Sequence, residues 1–283
     1  MPIKDVIRSV TPNFIWEKLR QQKISRSVNQ YQRRVVERNY CGHQLKVLIA
    51  DGLGEGWYDK DWEPLEELEL LASGKLRPGA TVFDLGAHQG VVAMLMAKAV
   101  GPTGRVIAIE GMKHNCDVAN ENLRLNGIAN VTVHHAVIAN KDGQIRFFDG
   151  LNGSVASEGV GQMVEAITID SLAKKYGEPD VVFIDIEGFE LKALEGATQC
   201  LFSDADWFVE VHVGCGLEKY GGSVQGIFKY LGGQRYERFI WNLNTNQKPQ
   251  PLTANSLVFD NRFAIVALCR HTPNNMLDAS QNW

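Results

Sequence analysis

Strand-like and helix-like segments alternate regularly from residue 80 onward, and this alternation constrains the fold more than any other feature of the chain. Helices that separate strands in this way link parallel neighbours, because a parallel pair of strands needs a crossover connection. The strands are apolar almost throughout, which indicates burial on both faces of the sheet. The five strand-like segments cover residues 81–86, 104–111, 131–138, 180–188 and 205–213.

The last two strand-like segments, 236–243 and 262–270, have no helix between them and are expected to pair antiparallel at one edge of the sheet. The seven strands together predict an α/β fold with a doubly wound, mostly parallel sheet and an antiparallel edge strand. An insertion carries two more strand-like segments, 143–150 and 161–170. They form either a flap over the sheet or a plain surface hairpin.

Residues 76–283 are predicted to form this α/β domain, and residues 1–75 a helical and hairpin appendage before it. The appendage is expected to contain a helix, a strand, a loop and a second helix, over residues 12–39, 43–52, 52–64 and 64–76. Three aromatic residues of the loop are expected to pack against the fold, with a lid over a ligand as the alternative: Trp57, Tyr58 and Trp62.

The composition is that of an ordinary globular protein, with 45% hydrophobic and 22% charged residues. No apolar run reaches the roughly 18 residues that would span a bilayer. The first residues lack the apolar core of a signal peptide, so we expect a cytoplasmic protein without a transmembrane segment. The five cysteines form no CxxC motif, which argues against a zinc ribbon or a thioredoxin-like site.

Charge is distributed unevenly along the chain. Residues 1–40 hold nine Lys/Arg and three Asp/Glu, whereas the net charge of the whole chain is −4, so the remainder of the chain is acidic. Phosphate backbones require a basic face, and we therefore expect no nucleic-acid partner. The basic segment is more often a solvated helix face than a binding arm for an acidic partner or a membrane surface.

The glycine-rich turn after the first predicted core strand is a candidate ligand site. In doubly wound sheets, ligands bind outside the carboxyl ends of the strands, and glycines let the backbone approach the ligand closely. The turn has the pattern G-x-x-x-G, which differs from the G-x-G-x-x-G of dinucleotide enzymes. Glu110, at the end of the next strand, suits the two ribose hydroxyls of either a nicotinamide or another nucleoside cofactor. The turn itself runs through Asp84, Gly86, Ala87, His88, Gln89 and Gly90.

Carboxylates are concentrated where the fourth and fifth core strands end. Asp185 and Glu187 lie at a strand exit, which favours a role at a reaction cleft. Glu190 follows in the first turn of a predicted helix, where favourable interaction with the helix dipole explains a carboxylate. Glu210 and His212 project from the same face of the next strand, either as a general-base pair or as a structural pair.

Three stretches together resemble the FkbM-type family of S-adenosylmethionine-dependent methyltransferases: "TVFDLGAHQGVVAMLMAKAVGPTGRVIAIEG", "NENLRLNG" and "FIDIEGFELKALEGA". The similarity covers residues 76–270, and the Asp-x-Glu-Gly-x-Glu stretch is its most specific part. This chain departs from the family pattern at His88, where Asn is usual, and at Gly111, where Pro is common.

The resemblance implies a class I methyltransferase sheet, Rossmann-like, that binds S-adenosylmethionine and methylates oxygen on a saccharide or secondary metabolite. The turn from Asp84 to Gly90 would surround the methionine part, Glu110 would bind the ribose, and Gly111 would adjoin it. The exit of the third strand would edge the adenine, through His135, Ala136 and Val137. Asp185 would lie near the cofactor amino group or the acceptor, with Glu187, Glu210 and His212 as the other catalytic candidates.

Other functions remain open at this level. The four catalytic candidates could hold Mg²⁺, although the absence of the expected neighbouring Asp-Asn pair favours a reaction without a metal. An RNA or other nucleic-acid methyltransferase and a non-catalytic nucleotide-binding module are the alternatives to O-methylation. The acceptor is expected to be a small molecule or saccharide, and the oligomeric state stays open, a dimer included.

Overall fold

The computed structural model describes residues 13–148, 152–156, 161–232, 234–245, 247–253 and 261–270. The N-terminal part contains a long helix, an antiparallel hairpin and two short helices. These elements are α1 (Asn13–Gln30), β1 (Arg34–Tyr40), β2 (His43–Ile49), α2 (Gly52–Tyr58) and α3 (Glu66–Ser73). The helix predicted over 12–39 therefore ends earlier, and its last part is strand β1, which pairs with β2 along its whole length.

The predicted loop over 52–64 contains the helix α2, which the sequence did not predict. Its glycines have low helix propensity, but Asp51 caps the helix by accepting hydrogen bonds from the N–H groups of Leu53 (2.9 Å) and Gly54 (2.8 Å). Tyr58, at the end of this helix, is buried beside Tyr40 of the hairpin. Capping and burial together thus outweigh the unfavourable local composition.

The central sheet has the strand order of a class I methyltransferase fold. Within the described residues its order is β13-β12-β14-β11-β10-β3-β4-β5. The strands are β3 (Thr81–Leu85), β4 (Arg105–Glu110), β5 (Val131–His135), β10 (Val181–Ile184), β11 (Asp206–Val211), β12 (Tyr236–Asn242), β13 (Gln250–Pro251) and β14 (Phe263–Cys269). The order reverses between β3 and β10, so a topological switch point lies there, as the predicted doubly wound sheet requires.

The antiparallel strand differs in position from the expectation. β12 and β14 pair antiparallel as predicted, but β14 lies inside the sheet, between β11 and β12. The edge is formed by β12 and the two-residue β13. β14 is buried over most of its length, and its apolar sequence fits an inner strand better than an exposed edge.

Helices cover both faces of the sheet. On one face α6 (Ile169–Tyr176), α7 (Glu190–Glu195) and α8 (Val224–Leu231) bury apolar side chains against β10 and β11. On the other face α3 and α4 (Val91–Val100) pack against β3 and β14. The hairpin β1–β2 packs outside α4 and α5 (Lys113–Leu125). No helix in the described ranges combines the length and apolar character needed to cross a bilayer.

The insertion forms a small separate sheet beside the carboxyl end of the main one. Its strands are β6 (Val137–Ile138), β7 (Gly143–Phe148), β8 (Ser154–Val155) and β9 (Gln162–Ile167). β7 and β9 pair antiparallel, as the strand-like segments predicted, and β9 also pairs with β6 directly after β5. The insertion is thereby fixed next to the ends of β4 and β5.

The ends of β3 and β10 approach each other more closely than a side chain at Gly86 would allow. A Cβ atom there would overlap the carbonyl oxygen of Asp185, and the φ of Gly86 is +97°. We expect Gly86→Ala to lower the free energy of unfolding by about 2–4 kcal/mol, from overpacking and backbone strain together. Urea unfolding of the purified variant measures this loss.

Gly127→Ala is the matched control, because Gly127 also has a positive φ (+62°) but has open space where a Cβ would lie. It should lose only the backbone strain, about 1–2 kcal/mol. Equal losses in the two variants would show that the β3–β10 contact imposes no steric limit.

Candidate active site

A cleft of about 680 Å³, partly open to solvent, lies at the carboxyl ends of β3, β4, β5 and β10. Gly86, Glu110 and Asp185 line its sheet side. Residues 152–155 of the insertion, with Phe147 and Tyr220, line the opposite side. The Tyr220 hydroxyl donates a hydrogen bond to the carbonyl of Val155 (2.9 Å), which ties the insertion to the segment after β11.

Glu110 is fixed at the bottom of the cleft by the backbone. Its Oε2 accepts a hydrogen bond from the N–H of His88 (2.8 Å), and its Oε1 accepts one from Met112 (2.7 Å). Each carboxylate oxygen has two lone pairs, so Glu110 can accept hydrogen bonds from a ribose diol beside those from the protein. Burial raises the pKa of Glu110 to about 7 in the absence of a ligand, while these two N–H donors lower it.

His88 shows why this chain tolerates a residue other than Asn in the turn. Its φ is +48°, a left-handed conformation that suits Asn best among side-chain residues and that His adopts more readily than most. The Nδ1 of His88 lies 2.7 Å from the hydroxyl of Tyr58, and the ring of Trp57 is 4.9 Å away. Tyr58 and Trp57 thus hold an imidazole in place at the edge of the cleft.

Gly111 departs from the expected Pro because the insertion packs against it. A Cβ atom at Gly111 would lie 2.6 Å from the ring of Phe147, which leaves no room for a pyrrolidine ring. Phe147 is buried and lines the cleft beside Glu110. Each residue that departs from the family pattern therefore contacts a specific side chain nearby: His88 contacts Tyr58, and Gly111 lies against Phe147.

The other residues of the turn do not line the cleft and instead make contacts within the fold next to it. Asp84 is buried, and its Oδ2 has no hydrogen-bond partner among the described residues. The side chain of Gln89 points away from the cleft and donates to Asp51 Oδ2 (2.7 Å). Ala87 and Gly90 are buried against the core and the start of α4. Gly86 and His88 are the turn residues that line the cleft.

The exit of β5 borders the cleft through Ala136 and Val137. The N–H of Ala136 already donates to the carbonyl of Glu110 (3.1 Å), so it is not free to bind a ring nitrogen. His135 Nε2 lies 3.0 Å from the carbonyl of Gly111, and its side chain braces the end of β4. The predicted adenine edge therefore consists of the two apolar residues.

The four catalytic candidates come together at the other end of the cleft. Asp185 and Glu187 line it, and their side chains are 41% and 31% exposed. Burial raises the pKa of Asp185, and the negative charge of Glu210 adds to the effect. Asn152 of the insertion donates a hydrogen bond to Glu187 Oε1. Glu210 Oε1 forms an ion pair with Arg262 Nε (3.0 Å).

His212 lies behind these carboxylates and is almost fully buried, with 1% of its surface exposed. Its Nε2 is 3.4–3.7 Å from oxygens of Asp185, Glu187 and Glu210. Burial disfavours the charged imidazolium, but the hydrogen bond to Glu190 and the surrounding carboxylates outweigh this and raise the pKa of His212 to about 9. Without further ligands His212 thus holds a proton at pH 7 and cannot accept another.

Glu190 is the site residue whose role the sequence did not reveal. It begins α7, as predicted, but it is fully buried, and its Oε1 is 2.7 Å from His212 Nδ1 and 2.7 Å from the N–H of Gly188. A favourable position in the helix dipole does not require such burial.

One ligand atom from each of Asp185, Glu187 and His212 lies within 4.8 Å of the others, close enough to bind one metal ion.

A comparison with models of known protein families finds a match to the part of the chain that forms the candidate site. Residues 84–219 match the model of the methyltransferase FkbM domain. This range begins at the glycine turn and ends beyond His212, so it contains that turn, Glu110 and the acidic cluster.

Among curated proteins, the ribosomal RNA large subunit methyltransferase E of Halorhodospira halophila is 26% identical over 186 residues, which is 66% of this chain and 78% of that protein. Among solved structures, the FkbM methyltransferase of Methylobacillus flagellatus shares 17% identity at a TM-score of 0.46, over 67% of this chain and 43% of its own. An O-methyltransferase of Thermotoga maritima shares 14% identity at a TM-score of 0.43, over 85% of this chain and 79% of its own. These scores are low, and the fold assignment follows from the strand order of the chain itself.

The burial of Asp84 predicts a pH-dependent stability. Burial, and next the charge of Glu110, raise the pKa of Asp84 from 3.8 to about 7. The folded protein thus favours the protonated form, and this stabilisation is lost as the pH rises from about 4 through 7. Asp84→Asn cannot ionise, so its stability relative to the wild type should rise by roughly 2–4 kcal/mol between pH 4 and pH 8.

Urea unfolding at a series of pH values measures this difference. Asp117→Asn serves as the control, because it makes the same substitution at a side chain that is 60% exposed on the surface. A constant difference between Asp84→Asn and the wild type would show that Asp84 ionises normally.

Proposed function

Because this chain belongs to the FkbM family of S-adenosylmethionine-dependent methyltransferases, as its sequence predicted, we propose that it methylates a hydroxyl group of a saccharide or secondary metabolite. The observation that supports this most is the layout of the cleft. The fixed carboxylate of Glu110 lies at one end, and a cluster of carboxylates with a histidine lies at the other. A cofactor and a hydroxyl-bearing acceptor can therefore bind side by side.

The residues present fit the cofactor. Gly86 lines the cleft without a side chain, and Glu110 can accept hydrogen bonds from the ribose hydroxyls. Ala136 and Val137 offer apolar contact to the adenine, and His88 borders the turn. When bound, S-adenosylmethionine supplies the methyl group, and the products are the methylated acceptor, S-adenosylhomocysteine and a proton.

The chain must orient the acceptor oxygen and provide for its proton. Asp185 and Glu187 lie beside Gly86 at the cleft surface, where they can accept a hydrogen bond from a hydroxyl. Holding that hydroxyl in line with the methyl group supplies much of the acceleration, since well-oriented reactants have large effective molarities. His212 keeps its proton at neutral pH, so in the absence of other ligands the proton acceptor is a carboxylate of the cluster.

Methylation of RNA is the second candidate. It is favoured by the similarity to a ribosomal RNA methyltransferase and by the basic charge of residues 1–40. The acidic cluster at the cleft argues against it, because a phosphate backbone would be repelled there. A saccharide hydroxyl has no such charge, which makes it the better match.

Transfer of a radioactive methyl group from S-adenosylmethionine distinguishes these acceptors. We expect incorporation into a pool of saccharides and hydroxylated metabolites and none into total RNA. Glu187→Gln should reduce the rate about 100-fold, because it removes a carboxylate that contacts the acceptor. Asp117→Asn, on the outer face of α5, should match the wild type.

Incorporation into RNA alone would replace the proposal with the second candidate. A folded protein that labels neither pool, or a Glu187→Gln variant as active as the wild type, would contradict the assignment of the acidic end to the acceptor.

A further inference from the structure

We propose that Asp185, Glu187 and His212 bind a divalent transition-metal cation, with Mn²⁺ as the best match, which holds the acceptor hydroxyl. The binding of the ion stands on the geometry of this cluster alone. Its part in methyl transfer rests on the proposed function.

The first observation is the unpartnered nitrogen of His212. Nε2 is buried and has no hydrogen-bond partner among the described residues, yet it points at oxygens of Glu187 (3.6 Å) and Asp185 (3.7 Å). These separations are too long for hydrogen bonds. Two ligands that are each about 2.1 Å from one ion lie roughly 3.0–3.6 Å apart, so the spacing is close to that of a shared coordination sphere.

The second observation is the hydrogen bond on the other ring nitrogen. Nδ1 of His212 lies 2.7 Å from Glu190 Oε1, and the same oxygen accepts the N–H of Gly188 (2.7 Å). When Nδ1–H donates a hydrogen bond to a carboxylate, the neutral imidazole presents its lone pair on Nε2, and metal-binding histidines are usually oriented in this way. Glu190 is thus a positioning residue, and its contact with His212 explains why it is completely buried.

The third observation is charge. Four carboxylates surround the imidazole: Asp185 and Glu187 from the β10 exit, Glu190 from α7 and Glu210 from β11. In the described part of the chain, the cations paired with them are His212 itself and Arg262, which contacts Glu210. The cluster therefore carries an excess of negative charge. A divalent cation would displace the proton from Nε2 of His212, as metal binding to histidine requires, and its charge would offset this excess.

The donor set decides between metals. Mg²⁺ and Ca²⁺ prefer oxygen ligands alone. Carboxylates suit Mn²⁺ and imidazole suits its heavier transition-metal neighbours, so the mixed donor set favours a transition-metal cation. Glu187 and Asp185 are partly exposed to the cleft, so further coordination positions would face the acceptor and water. An ion held there acts as a Lewis acid that makes a coordinated hydroxyl easier to deprotonate.

Electron paramagnetic resonance of Mn²⁺ tests the proposal directly. Titration of the chelator-treated full chain should remove the signal of free Mn²⁺ at one site per chain. Asp185→Asn and Glu187→Gln each keep the side-chain size and should weaken binding at least 10-fold. Asp117→Asn changes a carboxylate outside the cluster and should bind as the wild type does, and circular dichroism checks the fold of each variant.

Absence of Mn²⁺ binding by the folded wild type, or unchanged binding in both cluster variants, would overturn the proposal. The test needs neither cofactor nor acceptor, so it fails independently of the proposed function. Methyl transfer by a protein that binds no Mn²⁺ would refute the metal site alone. Mn²⁺ binding by a protein that methylates no hydroxyl would keep the site and refute its catalytic role.

Discussion

The contact between the ends of β3 and β10 is the constraint on which the candidate site depends. Parallel strands end at the same edge of the sheet, and here the backbone of Gly86 meets the carbonyl oxygen of Asp185 without room for a Cβ atom. The glycine turn and the acidic cluster therefore begin from adjacent positions on neighbouring strands. In the proposed function, the sheet itself would bring together a methyl donor at the turn and a hydroxyl acceptor at the cluster.

Contacts from the N-terminal part of the chain hold the turn from outside. Asp51 caps α2 by accepting hydrogen bonds from N–H groups of its first turn, and it also accepts one from the side chain of Gln89. Its Oδ2 also lies 2.8 Å from His114 Nε2 on α5. Tyr58, at the end of α2, contacts His88. The division of the chain near residue 75 stays a prediction, and these hydrogen bonds across it make the appendage a structural support of the glycine turn.

Much of the fold and the general position of the site could be predicted from the sequence, because both follow from periodicity. Buried parallel strands have apolar runs, and polar residues directly after such runs must lie at one edge, as Glu110, Asp185 and Glu187 do. The inner position of β14 and the helix α2 could not be predicted, because tertiary packing and a single cap decide them. Glu190 was missed because a carboxylate in a first helical turn has a simpler explanation, and only the fold brings it to His212.

The central claim is that Glu110 binds the ribose of S-adenosylmethionine in the cleft beside Gly86. Isothermal titration calorimetry with S-adenosylhomocysteine tests it most directly, on the wild type and on Glu110→Gln. We predict one binding site per chain and a loss of affinity of about 10- to 100-fold in the variant, as expected when a charged hydrogen-bond acceptor is removed. A folded wild type that releases no heat, or a variant with unchanged affinity, would contradict the claim.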